Sequence, residues 1–368
     1  MQQIPVRRLP AAQNDENDRR GTILWDLQIP HSCRQIFCTK NNPHKINKYQ
    51  RKNTVYLCLQ LAMHRLIVSG AAQTSTDYEY EQTLALKDFL DRRGIQLLYV
   101  NAPTKYLDER IFMDEFGLSC YSNQNADLFL QRIGDAGIAN LDLRRLVEED
   151  GKNIYDMFYR TDHHWTVDSG LWAAEKVSEA LNEDFGYQID LSLYDRERYQ
   201  ETLYEKCWLG EQGRKVAQAY VGLDDFLRLE PLFDTDLTLM TAAGAEVDGD
   251  FSVFVDQGSY QFDGDVYHAP SMHYSYIRSG INQSKVMNRK VSDGKILLLA
   301  DSYSQVVVPF LSLGVSEVDT LVLRGYDGSL REFIDAGDYD TVMILYAQFM
   351  IGAHDNASSA NYSMFDFE

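Results

Sequence analysis

Two places in this chain hold residue types that together can make an alcohol reactive. Asp162, His163 and His164 stand in the run Tyr159-Arg160-Thr161-Asp162-His163-His164-Trp165-Thr166. Ser302 lies far downstream, where the apolar run Ile296–Ala300 ends in Asp301-Ser302-Tyr303-Ser304. An imidazole is useful here because its proton moves near neutral pH. A neighbouring carboxylate fixes its tautomer and stabilises the imidazolium. An unassisted serine is a weak nucleophile and needs such a base. The reading is a hydrolase-type triad of Asp162, His164 and Ser302, with His163 able to take the place of His164. Each part also fits a plainer role. Asp301-Ser302 can be a polar strand-to-helix turn, and Asp162-His163-His164 a polar loop with a capping Asp; the two together favour a site. An Asp with two His can also ligate zinc or another transition metal. Adjacent residues rarely both reach one ion, and apart from the scattered His268 and His273 no further ligand cluster appears. No metal and no organic cofactor is therefore expected.

These side chains need elements to position them. Glu81–Arg93 reads as a helix stopped by Gly94, and Ile95–Val100 as a short apolar strand. Ala126–Ala136 and Ile138–Leu143 repeat that helix–strand rhythm. Thr166 is a good N-cap for a helix carrying Leu171, Ala174, Val177 and Leu181 on one face, so the His doublet sits in a loop just ahead of a helix. The rhythm returns with a strand at Ile296–Ala300, a helix after Ser304, a strand at Asp319–Leu323, a helix at Ser329–Ala336 and a strand at Thr341–Tyr346. Near-continuous apolar strands indicate a parallel sheet covered on both faces. A serine at the end of such a strand lies at the sheet's carboxyl edge, where backbone N–H groups and a helix dipole can meet a developing oxyanion.

The 368 residues are enough for one large or two ordinary domains. A net charge of −20 argues against a nucleic-acid partner, which needs a basic face. The 23 Tyr and 4 Trp suit either a packed core or a carbohydrate groove. Five scattered cysteines do not make a disulfide framework. Residues 1–52 hold ten Lys or Arg against four acids, which leaves the rest at −26. Residues 1–77 are thus expected to be a divergent basic segment, partly disordered. Residues 78–355 should form the catalytic domain, 187–290 a β-rich insertion within it, and 356–368 a loosely held tail. No apolar run follows Arg7, Arg8, Arg19 and Arg20, so no secretory signal is read. Val55–Val68, broken by Gln60, His64 and Arg65, is too short and polar to span a bilayer.

The run Tyr159–Thr166 resembles the signature of the DHHW family, whose members are similar to the alginate O-acetyltransferase-like branch of the SGNH (GDSL-type) hydrolases. Val100–Tyr106, Tyr220–Phe226 and Leu321–Asp327 support the resemblance, which covers about residues 78–350. In that branch the Asp-x-His pair precedes the serine, a permuted order that Asp162, His164 and Ser302 share. The resemblance implies an α/β, flavodoxin-like, three-layer SGNH core with a parallel sheet. It makes Ser302 the nucleophile, His164 the base and Asp162 its orienting acid. It offers Arg324 for the oxyanion or substrate, Trp165 and Tyr303 for stacking on a sugar (packing under the loop suits Trp165 better), and Lys105 and Tyr326 for the rim. Two departures bear on the oxyanion hole: Ala300 stands where the family has Gly, and Gln348 where SGNH enzymes often place an Asn donor. The implied activity is transfer or hydrolysis of O-acetyl groups on a cell-surface or extracellular polysaccharide. An acetyl donor would be delivered by a membrane acyltransferase partner, and the location would be extracellular or in the cell envelope. The alternative is a non-catalytic glycan-binding or assembly protein that keeps the fold.

Overall fold

The computed structural model describes residues 75–105, 121–256, 264–269, 272, 282–352 and 361–368. All of them fall in one compact unit, Met63–Glu368. The expectations for residues 1–74, for Cys33, Cys38, Cys58 and Cys120, and for His273 lie outside the described residues.

The chain runs through α1 (Asp77–Asp91), β1 (Gln96–Ala102), α2 (Ser122–Asp135), β2 (Ala139–Asp142), α3 (Leu143–Glu149) and α4 (Val167–Phe185). It continues with β3 (Tyr199–Trp208), α5 (Glu211–Val216), α6 (Gln218–Val221), β4 (Asp224–Pro231), β5 (Leu237–Met240), β6 (Glu246–Gly249) and β7 (Gln283–Asn288). It closes with β8 (Lys295–Ala300), a 3-10 turn (Ser302–Val306), α7 (Val308–Leu311), β9 (Glu317–Leu321), α8 (Leu330–Ala336) and β10 (Thr341–Ala347). Eight strands form one sheet in the order β2-β1-β10-β8-β9-β7-β5-β6. The first five are parallel to one another, and β7, β5 and β6 add on antiparallel.

Strand alternation builds the layers. In β1, Leu98, Val100 and Ala102 face a core shared with α3, α4 and α7, whereas Leu97 and Tyr99 face one shared with α1, α2 and α8. β8 and β10 divide the same way, Ile296, Leu298, Met343 and Leu345 going to the first core and Leu297, Leu299, Val342 and Ile344 to the second. A sheet buried on both faces needs apolar residues at both parities, which explains the unbroken runs.

Two expectations are corrected here. The segment after Ser302 is a 3-10 turn followed by the four-residue α7, so little helix dipole is available there. Residues 361–368 are not loosely held, because Met364, Phe365 and Phe367 are buried in the second core and Met364 O accepts the Tyr346 hydroxyl. The β-rich reading of 187–290 meets a mixed result. β3 and β4 pair as a separate antiparallel hairpin, while β5, β6 and β7 extend the main sheet through β9.

Candidate active site

Ser302 follows β8, a central strand of the sheet, at its carboxyl end. Asp301 fixes the exit. Its buried carboxylate accepts Tyr303 N at 2.9 Å and Ala347 N at 2.7 Å, tying the ends of β8 and β10 together. Burial pushes its pKa up to about 6, even though those two N–H groups favour the charged form.

The His doublet lies in a small closed loop. Phe158 and Trp165 pair as an antiparallel bridge, Tyr159 N donates to His164 O, and Thr166 N donates to Met157 O. Thr166 then caps α4, its Oγ1 accepting Ser169 N. Two bonds join this loop to the turn that carries Ser302. Trp165 Nε1 donates to Tyr303 O at 2.8 Å, and Tyr303 Oη donates to His163 O at 2.9 Å. They flank the central contact, in which His164 Nε2 lies 2.8 Å from Ser302 Oγ. The other ring nitrogen, His164 Nδ1, lies 2.6 Å from Asp162 Oδ1. A carboxylate can only accept, so Nδ1 carries the proton toward Asp162. In the neutral ring that leaves Nε2 as the acceptor for the serine hydroxyl.

Asp162 is nearly buried, and each of its oxygens is engaged. Oδ1 also accepts His164 N at 3.0 Å, and Oδ2 accepts Glu211 N at 2.8 Å. The donor atoms of Asp162, His163 and His164 lie within 4.8 Å of one another, close enough to surround an ion. A cation there would have to displace hydrogen bonds that already satisfy the carboxylate. The imidazole within hydrogen-bond reach of Ser302 is that of His164. His163 Nδ1 stands 3.5 Å from Asp162 Oδ1 and 4.0 Å from Glu211 Oε2. Burial and the adjacent His164 push its pKa down to about 4.

Trp165 packs under the loop as expected, and the other outlying candidates are placed differently from the sequence reading. Trp165 and Tyr303 are each only 1% exposed, so neither ring has a face for a sugar; both brace the loop. Gln348 is fully buried and its Nε2 donates to Asn123 Oδ1 at 2.8 Å, so that amide is turned to the scaffold rather than offered to an oxyanion. Arg324 is exposed and donates to Asn361 Oδ1 at 2.5 Å, bracing the C-terminal segment, though its charge still lowers the Asp301 pKa. Tyr326 is half-buried, edge-on to Phe333. Lys105 is not at a rim. It is 7% exposed, with Nζ donating to the Asp162 carbonyl and, at 3.5 Å, to that of Arg160.

Thr161, Gly210, Glu211 and Asp224 also shape the site and were not singled out from sequence. Gly210 N and Gly213 N donate to Thr161 Oγ1 and O, at 2.7 and 2.8 Å. Thr161 N and Oγ1 donate to Asp224 Oδ2 at 2.7 and 2.6 Å. Thr161 lay within the Tyr159–Thr166 run and Asp224 within the stretch Tyr220–Phe226, whereas Gly210 and Glu211 carried no such signal.

A mostly parallel sheet covered by helices, with a serine at the carboxyl end of a central strand and an Asp-x-His loop beside it, is an SGNH hydrolase-like fold. Residues 65–205 match the family model ALGX, "SGNH hydrolase-like domain, acetyltransferase AlgX", a match over less than half of the chain. Alginate biosynthesis protein AlgX of Pseudomonas aeruginosa is 25% identical over 226 residues, 58% of this chain and 44% of that protein. The chain thus spans less than half the length of this relative. Among solved structures, Bacillus cereus PatB1 with a sulfonyl adduct has the same fold, with a TM-score of 0.62 at 16% identity over 81% of this chain and 96% of that one. A DHHW family protein from Eubacterium siraeum aligns with a TM-score of 0.59 at 16% identity over 79% of this chain and 89% of that one.

Proposed function

We propose that the chain is a serine-dependent acyl-transfer enzyme that moves O-acetyl groups to or from a polysaccharide of the cell envelope. The observation that carries this reading is the continuous hydrogen-bonded series from Ser302 Oγ through His164 to Asp162. Ser302 Oγ attacks the acetyl carbonyl while His164 Nε2 takes its proton, and Asp162 stabilises the imidazolium. The tetrahedral intermediate collapses, and the donor oxygen leaves with the proton from His164. A sugar hydroxyl or water then gives a proton to His164, attacks the acetyl-serine and releases Ser302. A sugar acceptor makes the protein an O-acetyltransferase; water makes it an esterase. The kinship with a protein named for alginate biosynthesis supports a polysaccharide as substrate. The acetyl donor, in this reading, comes from a membrane acyltransferase partner. Among the described residues no helix is long and apolar enough to cross a membrane.

The test is the rate of 4-nitrophenyl acetate cleavage. Ser302→Ala and His164→Ala should each lose about a thousandfold or more, judging by triads elsewhere. Equal rates in all three proteins would leave glycan binding without catalysis.

A further inference from the structure

We infer that Lys105 and Asp224 are positioning residues that hold the Asp162 carboxylate in register with His164. Arg160-Thr161-Asp162 has no regular secondary structure of its own, so its geometry depends on what grips its polar groups. Lys105, just beyond β1, holds the carbonyls of Arg160 and Asp162. Asp224, the first residue of β4, accepts from Arg160 N at 3.2 Å and from both Thr161 N and Thr161 Oγ1. The segment between β3 and β4 adds Gly210 N and Gly213 N on Thr161, and Glu211 N on the carboxylate itself. Three stretches far apart in sequence thus converge on three residues, and the hairpin outside the main sheet becomes part of the site. Neither side chain needs to touch a substrate to act this way.

Lys105 is an unusual choice for a purely structural contact. Burying an ammonium is unfavourable without compensation, and two carbonyls with the nearby Asp162 and Asp224 carboxylates supply it. Burial still lowers its pKa to about 8, with Arg160 acting in the same direction and Asp162 and Asp224 against it. The charges facing it are Arg160 and Asp162 on the loop and Asp224 on β4, with the neutral His163 nearby. The folded ammonium therefore loses its proton as pH rises through about 8, and the grip on the loop weakens there.

Part of the test does not rest on the proposed activity. The His164 Nδ1 proton shared with Asp162 should give a low-field proton resonance in the full-length protein, whether or not an ester is turned over. In Lys105→Met and Asp224→Asn, at unchanged unfolding temperature, that resonance should shift or vanish, and kcat should fall about a hundredfold at constant KM, the scale of an ångström's misplacement. Lys105→Met should also lose the fall in rate above about pH 8. Where these variants unfold, Thr161→Val replaces them, with Thr161→Ser restoring the signal. A wild type lacking the resonance, or folded variants keeping it unchanged, overturns the inference. A shifted resonance in a protein with no esterase activity supports it and sinks the acyl-transfer reading instead.

Discussion

The His163 ring packs 3.8 Å from that of His164, centroid to centroid, and three-quarters of its side chain is out of water. Burial, and after it the adjacent His164, hold its pKa near 4. The unfolded chain keeps the ordinary value of 6.5. Between those values the unfolded state binds more protons than the folded one, so stability rises with pH across the window and is lost as pH falls through it. The full shift corresponds to about 3 kcal/mol, and partial solvent access reduces that to about 2 kcal/mol. Asp301 works in the opposite sense, its raised pKa favouring the fold toward acid, but it is common to wild type and variant. His163→Gln should therefore lose about 2 kcal/mol less than wild type when denaturant midpoints are compared at about pH 7 and 4. An equal loss in both proteins would show that His163 is not held neutral. The same comparison bears on which imidazole acts: on the proposed acyl-transfer reading, His163→Gln should keep most of the esterase rate, since it is His164 that reaches Ser302.

Two glycines let whole elements approach closely enough to bring the site together. A Cβ on Gly170, within α4, would lie 2.3 Å from Val306 O, at the end of the turn that Ser302 opens. A Cβ on Gly210 would lie 2.5 Å from both Asp162 Cβ and Thr161 O. Gly210 has an ordinary φ of −66°, so proximity rather than backbone freedom is what it supplies. Gly170→Ala should drive α4 from the turn and lengthen the His164–Ser302 contact, whereas Gly210→Ala should push Asp162 aside. Each should cost about 1–3 kcal/mol of stability, read by thermal unfolding. Each should also lower kcat about tenfold or more. Full activity in either would mean the elements yield without moving the site. These contacts mark the limit of the sequence reading. β1, β8 and β10 were legible because each is buried on both faces, and Thr166 because capping is local. The gathering of Ser302 with Asp162 and His164 was legible through residue type and chain order. Asp224, Gly210 and the burial of Lys105 were not, because their partners lie 49 to 63 residues away and arrive only through tertiary packing. Tyr303 misled for a related reason. Aromatics beside a reactive loop suit a sugar platform and a buried brace equally well until their exposure is known.

At the scale of the whole molecule the charge is lopsided: a net −20, with a sequence pI near 4.8. A field of that sign lowers the local concentration of anionic partners and slows their encounter. The site does not escape it, for Asp162, Asp224, Asp301 and Glu211 surround the His164 loop against Lys105 and Arg160. An acetylated neutral glycan therefore meets no electrostatic barrier, while an acetylated polyuronate meets one that salt relieves. Raising ionic strength from about 0.02 to 0.2 M shortens the screening length about threefold. Acetate release should show kcat/KM for the polyuronate rising several-fold over that range, with the neutral glycan flat. Because the effect acts on encounter, kcat should stay constant for both. A polyuronate rate that falls with salt would mean that a local basic groove outweighs the global charge and draws an anionic chain to Ser302.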